Sequence, residues 1–368
     1  MPQVKQLQEL NAAGQAAKNE TTGCEFFIQW HLTENCNLRC RHCYQIEGMR
    51  NMELSLHEAE DVIDEASGML ESWAETYGIG FSPSFNITGG EPFLRADLFE
   101  ILGAIKARGF GIFLLTNGTL IDRNRAKALS DTGIDGVQVS IEGPPEIHDS
   151  IRGKGSFGAS VEGIKNLLDA GLRVTLNATL SKINAHHMPE VLNIASGLGV
   201  QRAGFSRLVP SGRGLSLIGE MLSPEEVKGL YGFLLSRKIE GLEIVTGDPV
   251  ASMMAAGEKD SGKSMCSTAT GGCAAGISGL TILSDGSITP CRRLHIPIGN
   301  VRSDSLREVW ATSPVLENLR DKSRYAGRCG RCPRWSGCRG CRAIAYAYSL
   351  SKGEGDFLSE DPQCFIED

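Results

Sequence analysis

The chain has 368 residues, enough to bury one large core with a small appended unit, and carries a formal net charge of −7. That balance excludes a protein that grips nucleic acid through a basic face, so a small molecule or a peptide is the expected partner. The first twenty residues hold no long apolar run behind a basic start, so neither a signal peptide nor a membrane span is expected and the chain reads as cytoplasmic. Twelve cysteines in that reducing compartment are expected to be mostly metal ligands rather than disulfides.

Taken in order, β-rich apolar runs fall at Phe26 to Leu32, Ser84 to Thr88, Gly111 to Thr116, Gly136 to Ile141, Arg173 to Leu180 and Arg202 to Val209. Helical patterns separate them. The first opens on a capping box, Ser55 with Glu58 three residues on, and runs to Leu70 with apolar spacing at Leu56, Ala59, Val62, Ile63 and Ala66. Others are expected over Asp97 to Arg108, Asp122 to Asp131, Phe157 to Ala170 and His186 to Leu198. Such alternation predicts an α/β fold with a parallel sheet, curved into a partial (β/α)6 TIM-like barrel.

Beyond Val209 the pattern changes. A helix starts at Ser223, and the Gly, Ser and Met-rich stretch Ala251 to Ser267 reads as a linker. Gly279 to Leu283 and Ser287 to Cys291 flank Asp285-Gly286, a β-hairpin signal, and a helix is expected over Ser305 to Asp321. The organisation this predicts is an N-terminal extension (1–24), a barrel (25–215), a bridging helix and linker (216–261) and a small α+β C-terminal domain (262–368).

Cys36, Cys40 and Cys43 sit just past the first strand, where barrel enzymes place their chemistry. Three thiolates are one short of the four that normally hold an iron–sulfur cluster, so one iron would stay open for a ligand. A zinc site is the alternative reading of the spacing. Gly89-Gly90-Glu91-Pro92 follows the second strand, with glycines that let backbone approach a ligand and a carboxylate able to accept from an ammonium.

Together these motifs resemble the radical S-adenosylmethionine (SAM) superfamily, whose signature is CxxxCxxC on the loop after the first barrel strand. The resemblance implies that Cys36, Cys40 and Cys43 ligate a [4Fe–4S] cluster. It also places SAM against Gly89, Gly90, Glu91 and Pro92, and against Asn117, Ser140 and Arg152 at the ends of later strands. Many members carry aspartate where this chain has Glu142 and an aromatic residue where it has His42. The implied chemistry is one-electron cleavage of SAM to methionine and a 5′-deoxyadenosyl radical, which takes a hydrogen atom from the substrate.

Eight further cysteines lie in the C-terminal part, and the run Cys329, Cys332, Cys338, Cys341 with Cys364 after it resembles the SPASM domain of radical SAM maturases. By that resemblance Cys266, Cys273, Cys291 and Cys341 bind a first auxiliary [4Fe–4S] cluster, and Cys329, Cys332, Cys338 and Cys364 a second, making three clusters with SAM as cofactor. A pair of CxxC motifs is also a zinc pattern, which would make this part a structural module. Cys24 is assigned no role.

SPASM proteins mostly modify peptides, so the leading expectation is a radical SAM maturase acting on a ribosomally made peptide. Its electron donor would be a low-potential carrier such as flavodoxin or ferredoxin. About 35 residues precede the cysteine loop, too few for a leader-binding domain, so recognition is expected to fall to the barrel, the C-terminal domain or, as a further partner, a separate leader-peptide recognition protein. Second comes oxidation of a carboxylated tetrapyrrole or haem precursor. A sulfatase-type formylglycine maturase is disfavoured, because Arg292 stands after Cys291 where that branch has an aspartate base. Outside enzymology, an iron–sulfur electron carrier or zinc scaffold would have no use for Gly89-Gly90-Glu91-Pro92.

Overall fold

A computed structural model describes residues 24–46, 53–255, 269 and 271–366; the expected N-terminal extension up to residue 23, most of the expected linker and Cys266 lie outside the described residues. The alternating runs form parallel strands β1 (Cys24–His31), β2 (Phe81–Thr88), β3 (Gly111–Thr116), β4 (Gly136–Ser140), β5 (Val174–Leu180) and β6 (Arg202–Arg207), side by side in chain order. β7 (Glu243–Val245) adds to the edge of β6. It lies in the segment expected to bridge, and three residues are too few to register as a pattern.

Period two sorts the two faces of this sheet. Ile28, Trp30, Phe85, Ile87, Ile112, Leu114, Val137, Val139, Leu176 and Ala178 are at most 1% exposed. They share one core with helices α1 (Leu56–Tyr77), α2 (Leu98–Ala107), α3 (Arg123–Thr132), α4 (Pro145–Arg152), α5 (Ser156–Asp169), α6 (Met188–Leu198) and α7 (Pro224–Ser236), apart from the short α4. Gln29, Asn86, Gln138 and Asn177, which alternate with those apolar residues, stay half-buried on the inner face. The inner face of the barrel is therefore polar, and chemistry can be built on it.

Both halves of the capping box form: Glu58 N–H donates to Ser55 Oγ at 3.2 Å, and Ser55 N–H to Glu58 Oε2 at 2.7 Å. The helix runs seven residues past Leu70, to Tyr77, because Trp73 continues its buried stripe against Phe26 and Trp310; Gly78 then ends it in the left-handed region. After α8 (Pro249–Ala255), the chain returns as β8 (Gly279–Ile282), β9 (Ser287–Thr289) and β10 (Gly299–Asn300).

The hairpin turns at Asp285-Gly286 as expected, yet it does not stand apart. β8 pairs parallel with β1, so barrel and C-terminal strands form one ten-stranded sheet in the order β10-β9-β8-β1-β2-β3-β4-β5-β6-β7. The single helix expected over Ser305 to Asp321 is two, α9 (Leu306–Thr312) and α10 (Pro314–Arg320). Ser313 is extended (ψ 120°) because a proline follows it. α11 (Gly327–Arg331) and α12 (Arg342–Ser351) complete the chain. No described helix is long and apolar enough to cross a membrane.

Where β8 meets β1, a Cβ at Gly279 would collide with the carbonyl oxygen and ring of Phe27. Gly279→Ala should therefore destabilise the protein by about 1–3 kcal/mol. Thermal unfolding of the two forms checks this, and an unchanged melting temperature would show that β8 does not need that close approach.

Candidate active site

The cysteine loop lies between β1 and α1, at the C-terminal edge of the sheet, and is clasped from several sides. Gly90 N–H donates to Thr33 O and Glu91 N–H to Asn35 O, both at 2.7 Å. This contact explains the glycines: a Cβ at Gly89 would strike Thr33 O, and one at Gly90 Asn35 O. Across the loop, Arg213 Nε donates to Cys40 O (3.0 Å), Gly214 N–H to Cys43 O (3.1 Å), and Arg41 N–H to Ile151 O at the end of α4 (2.8 Å). His295, after the hairpin, contacts Tyr44 O at 3.0 Å.

Cys36, Cys40 and Cys43 border one open cavity of about 150 Å3. Lost hydration raises the Cys43 thiol and pushes Cys36 up to about 11. Thiols so reluctant to ionise become thiolates when a metal centre supplies the compensating charge, so the donor set suits an iron–sulfur group. Among the described residues no three His, Cys, Asp or Glu side chains converge as ligands of a single metal ion.

Of the residues expected around SAM, Gly89, Gly90, Asn117, Ser140 and Arg152 border this cavity. Glu91 and Pro92 do not. Glu91 is fully buried, and its carboxylate accepts from Thr116 Oγ1 (2.7 Å), Asn117 N–H (2.9 Å) and Phe93 N–H (3.4 Å). The expected acceptor for an ammonium is thus a brace between the ends of β2 and β3. Burial raises its carboxyl above the ordinary range, opposed by those same hydrogen bonds.

Asn117 is also engaged: its amide donates to Asn37 Oδ1 (2.9 Å) and accepts from Thr119 Oγ1 (2.6 Å), tying β3 to the cysteine loop. Arg152 donates to Glu142 Oε1 from Nη2 (2.6 Å) and Nε (2.9 Å), and approaches Cys40 Sγ at 3.8 Å. His42 Nε2 stands 3.4 Å from the same Glu142 oxygen, and Thr179 N–H donates to the other (2.8 Å). Although Glu142 is fully buried, the Arg152 charge and then His42 hold its carboxyl well below the usual range. The two departures from the family pattern, His42 and Glu142, thus sit in one cluster beside Cys40.

Sequence reasoning missed Gln138, Asn177, Thr179 and Ser206, which line the cavity with side chains that have no protein hydrogen-bond partner among the described residues. A polar residue at every second position near a strand's C-terminal end was the signal available. Arg207 lines it too and is completely occupied: it donates to Asp248 (2.6 and 3.0 Å), Asp361 (2.9 and 2.8 Å) and Gln363 (3.2 Å). Arg292 and Arg293, from the loop after β9, complete the wall. Among the described residues neither pairs with a carboxylate, and Arg293 Nε is buried without a partner.

The C-terminal cysteines gather in two groups. Cys329, Cys332, Cys338 and Cys364 line one smaller cavity of about 30 Å3, and burial pushes Cys338 up to about 12. Cys291 and Cys341 lie beside Arg293, whose charge acts on both, and Cys273 is close enough to act on Cys341. Arg339 separates the groups; its guanidinium donates to Cys273 O, and its backbone lies in the left-handed region at φ 62°. Cys24, at the start of β1, belongs to neither group.

The Radical SAM superfamily profile matches residues 30–195, and that of SPASM, an iron–sulfur cluster-binding domain, matches residues 273–333. The chain is 30% identical over 348 residues to the AdoMet-dependent heme synthase of Nitratidesulfovibrio vulgaris, covering 92% of this chain and 91% of that protein. This chain belongs to the radical SAM superfamily. It is a SPASM-containing member and an enzyme, of a family built around [4Fe–4S] clusters and SAM. The mycofactocin maturase MftC of Mycobacterium tuberculosis is 32% identical over 316 residues, covering 82% of this chain and 74% of the maturase. In fold it is similar to Streptococcus suis SuiB bound to S-adenosylmethionine, with a TM-score of 0.72 at 16% identity over 94% of this chain and 78% of SuiB.

Two outcomes test this geometry. Arg207→Met would strand two buried carboxylates and should cost about 3–5 kcal/mol, read by denaturant unfolding of the holoenzyme. His148, completely buried, accepts from Glu142 N–H, and burial followed by the Arg152 charge lowers its imidazole to about 4. The unfolded chain takes up that proton from about pH 6.5, so stability should fall by on the order of 2–3 kcal/mol as pH drops from about 6.5 to 4. The difference in unfolding free energy between wild type and His148→Gln should slope only in that window; a flat difference would sink the assignment.

Proposed function

We propose that this radical SAM enzyme oxidises a carboxylated tetrapyrrole, a haem precursor, held between the cysteine loop and Arg292–Arg293. The observation that carries the reading is the pair of guanidinium groups on the cavity wall that pair with no carboxylate among the described residues. Such groups bind carboxylates through charge-assisted, often bidentate hydrogen bonds. Relatives named as heme synthases that match over nearly their whole length support a tetrapyrrole over a peptide. This reverses the order expected from the resemblance to SPASM maturases. The peptide reading stays second, favoured by the maturase relative.

In this reading Cys36, Cys40 and Cys43 hold the cluster that binds SAM. Cys273, Cys291 and Cys341, with Cys266 from outside the described residues, hold a first auxiliary cluster; Cys329, Cys332, Cys338 and Cys364 hold a second. The bound group supplies one-electron cleavage of the sulfonium and abstraction of a substrate hydrogen. The rest is positioning. Glu91 fixes Asn117 and Thr116 against the cysteine loop, while Gln138, Ser140 and Asn177 offer free hydrogen-bonding groups from the strand ends. Arg292 and Arg293 orient the substrate carboxylates, and neither can serve as a base because guanidinium stays protonated.

Under anaerobic reduction with SAM, carboxylated tetrapyrroles should be modified with stoichiometric 5′-deoxyadenosine, read by mass spectrometry. Cys36→Ala should abolish that product. Arg292→Met with Arg293→Met should raise KM at least tenfold, since each charge-assisted bond contributes about 1.5–3 kcal/mol. Unchanged tetrapyrroles alongside a host peptide two hydrogens lighter would replace this reading with the peptide one.

A further inference from the structure

The protein is acidic overall, but its charge is unevenly placed. Between residues 320 and 342 stand eight Lys and Arg and a single acid, Asp321. Arg339 and Arg342 are buried around the second cysteine group, where Arg342 Nη2 approaches Cys329 Sγ at 3.6 Å. Lys322, Arg324, Arg328, Arg331 and Arg334 are exposed or half-exposed. Asp321 contacts Arg324 at 3.5 Å and Glu360 contacts Arg328 at 3.4 Å. Lys322, Arg331 and Arg334 have no ion-pair partner among the described residues.

This face surrounds the opening of the smaller cavity. Arg328 and Arg334 line it together with all four cysteines of the second group, of which Cys332 and Cys364 are half-exposed. The short turn Lys322–Arg324 packs against α11, which carries Cys329 and Arg331. From there the cysteine groups run inward in series. Cys338 of the second group receives at its carbonyl the N–H of Cys273 of the first (3.1 Å), and Cys291 of the first adjoins Arg292 on the main cavity wall.

We propose that this basic face docks a small acidic one-electron carrier protein of the ferredoxin class, which exchanges electrons with the group held by Cys329, Cys332, Cys338 and Cys364. The inference rests on the reading of those cysteines as a cluster site. Redox proteins associate through small, complementary charged surfaces because electrostatic steering speeds encounter without demanding tight binding. A net-acidic enzyme repels an acidic carrier except where cations collect, and on this outer face they collect around the half-exposed Cys332 and Cys364. The step balances simply: the reduced carrier loses one electron and becomes oxidised, and the oxidised cluster gains that electron, with no proton or bond changed.

The test uses the reconstituted holoenzyme and a purified acidic bacterial ferredoxin, following cluster reduction by stopped flow and binding by calorimetry. Arg324→Glu with Arg331→Glu, both on exposed side chains, should slow reduction by ferredoxin at least tenfold and weaken binding, while reduction by dithionite stays at the wild-type rate. Raising the salt from about 0.05 to 0.5 M should slow the wild type toward the variant. Equal rates for wild type and variant would overturn the docking face while leaving the cluster reading intact. Equally tight binding of a duplex DNA probe, lost in the same variant, would make the face a general polyanion site and also overturn it. If Cys332→Ser with Cys364→Ser removes no iron and no electron paramagnetic resonance signal, the cluster reading itself fails.

Discussion

One buried cation joins the parts of this enzyme. All five N–H donors of the Arg207 guanidinium are used, on two carboxylates and one amide, and its side chain has no exposed surface. Asp248 comes from the segment after β7 and also accepts from Tyr231 of α7 at 2.9 Å. Asp361 comes from the C-terminal turn and accepts the N–H of Cys341 at 2.8 Å and that of Gln363 at 3.0 Å. A charge this deep is tolerated only when every partner is in place, so the end of β6, the segment after β7 and the C-terminal cysteines are placed together or not at all.

The shared sheet acts to the same end by a different force. Because β8 pairs with β1, the loop after β9 brings Arg292, Arg293 and His295 against the loop after β1, and the C-terminal half becomes one wall of the cavity. Backbone hydrogen bonding sets this wall, so its position does not depend on long flexible side chains. Another part of the lining comes from the inner face of β4 to β6, where the side chains of Gln138, Asn177, Thr179 and Ser206 have no hydrogen-bond partner among the described residues.

Charge is distributed in the same functional sense. The Glu142–Arg152–His42 group and the Glu91 brace keep ionised or polar side chains beside the first cysteines without opening them to bulk water. Around the second group cations prevail, from buried Arg342 outward to exposed Arg331. Positive charge and hydrogen bonds near thiolate sulfurs favour the more reduced state of an iron–sulfur group, so the protein sets different conditions at its different cysteine sites.

Much of this was legible in the chain. The β-rich apolar runs set between helical patterns marked the six strands β1 to β6, and the cysteine spacings marked the candidate sites, because both are local patterns within a few residues. Tertiary structure alone decided that the hairpin continues the barrel sheet, that Glu91 turns inward to brace Asn117, and that Arg207 lies in an ion-pair network while Arg292 and Arg293 pair with no carboxylate among the described residues. The three arginines look alike in sequence. What separates them is which carboxylates the fold brings near, and Asp361 reaches Arg207 from 154 residues away.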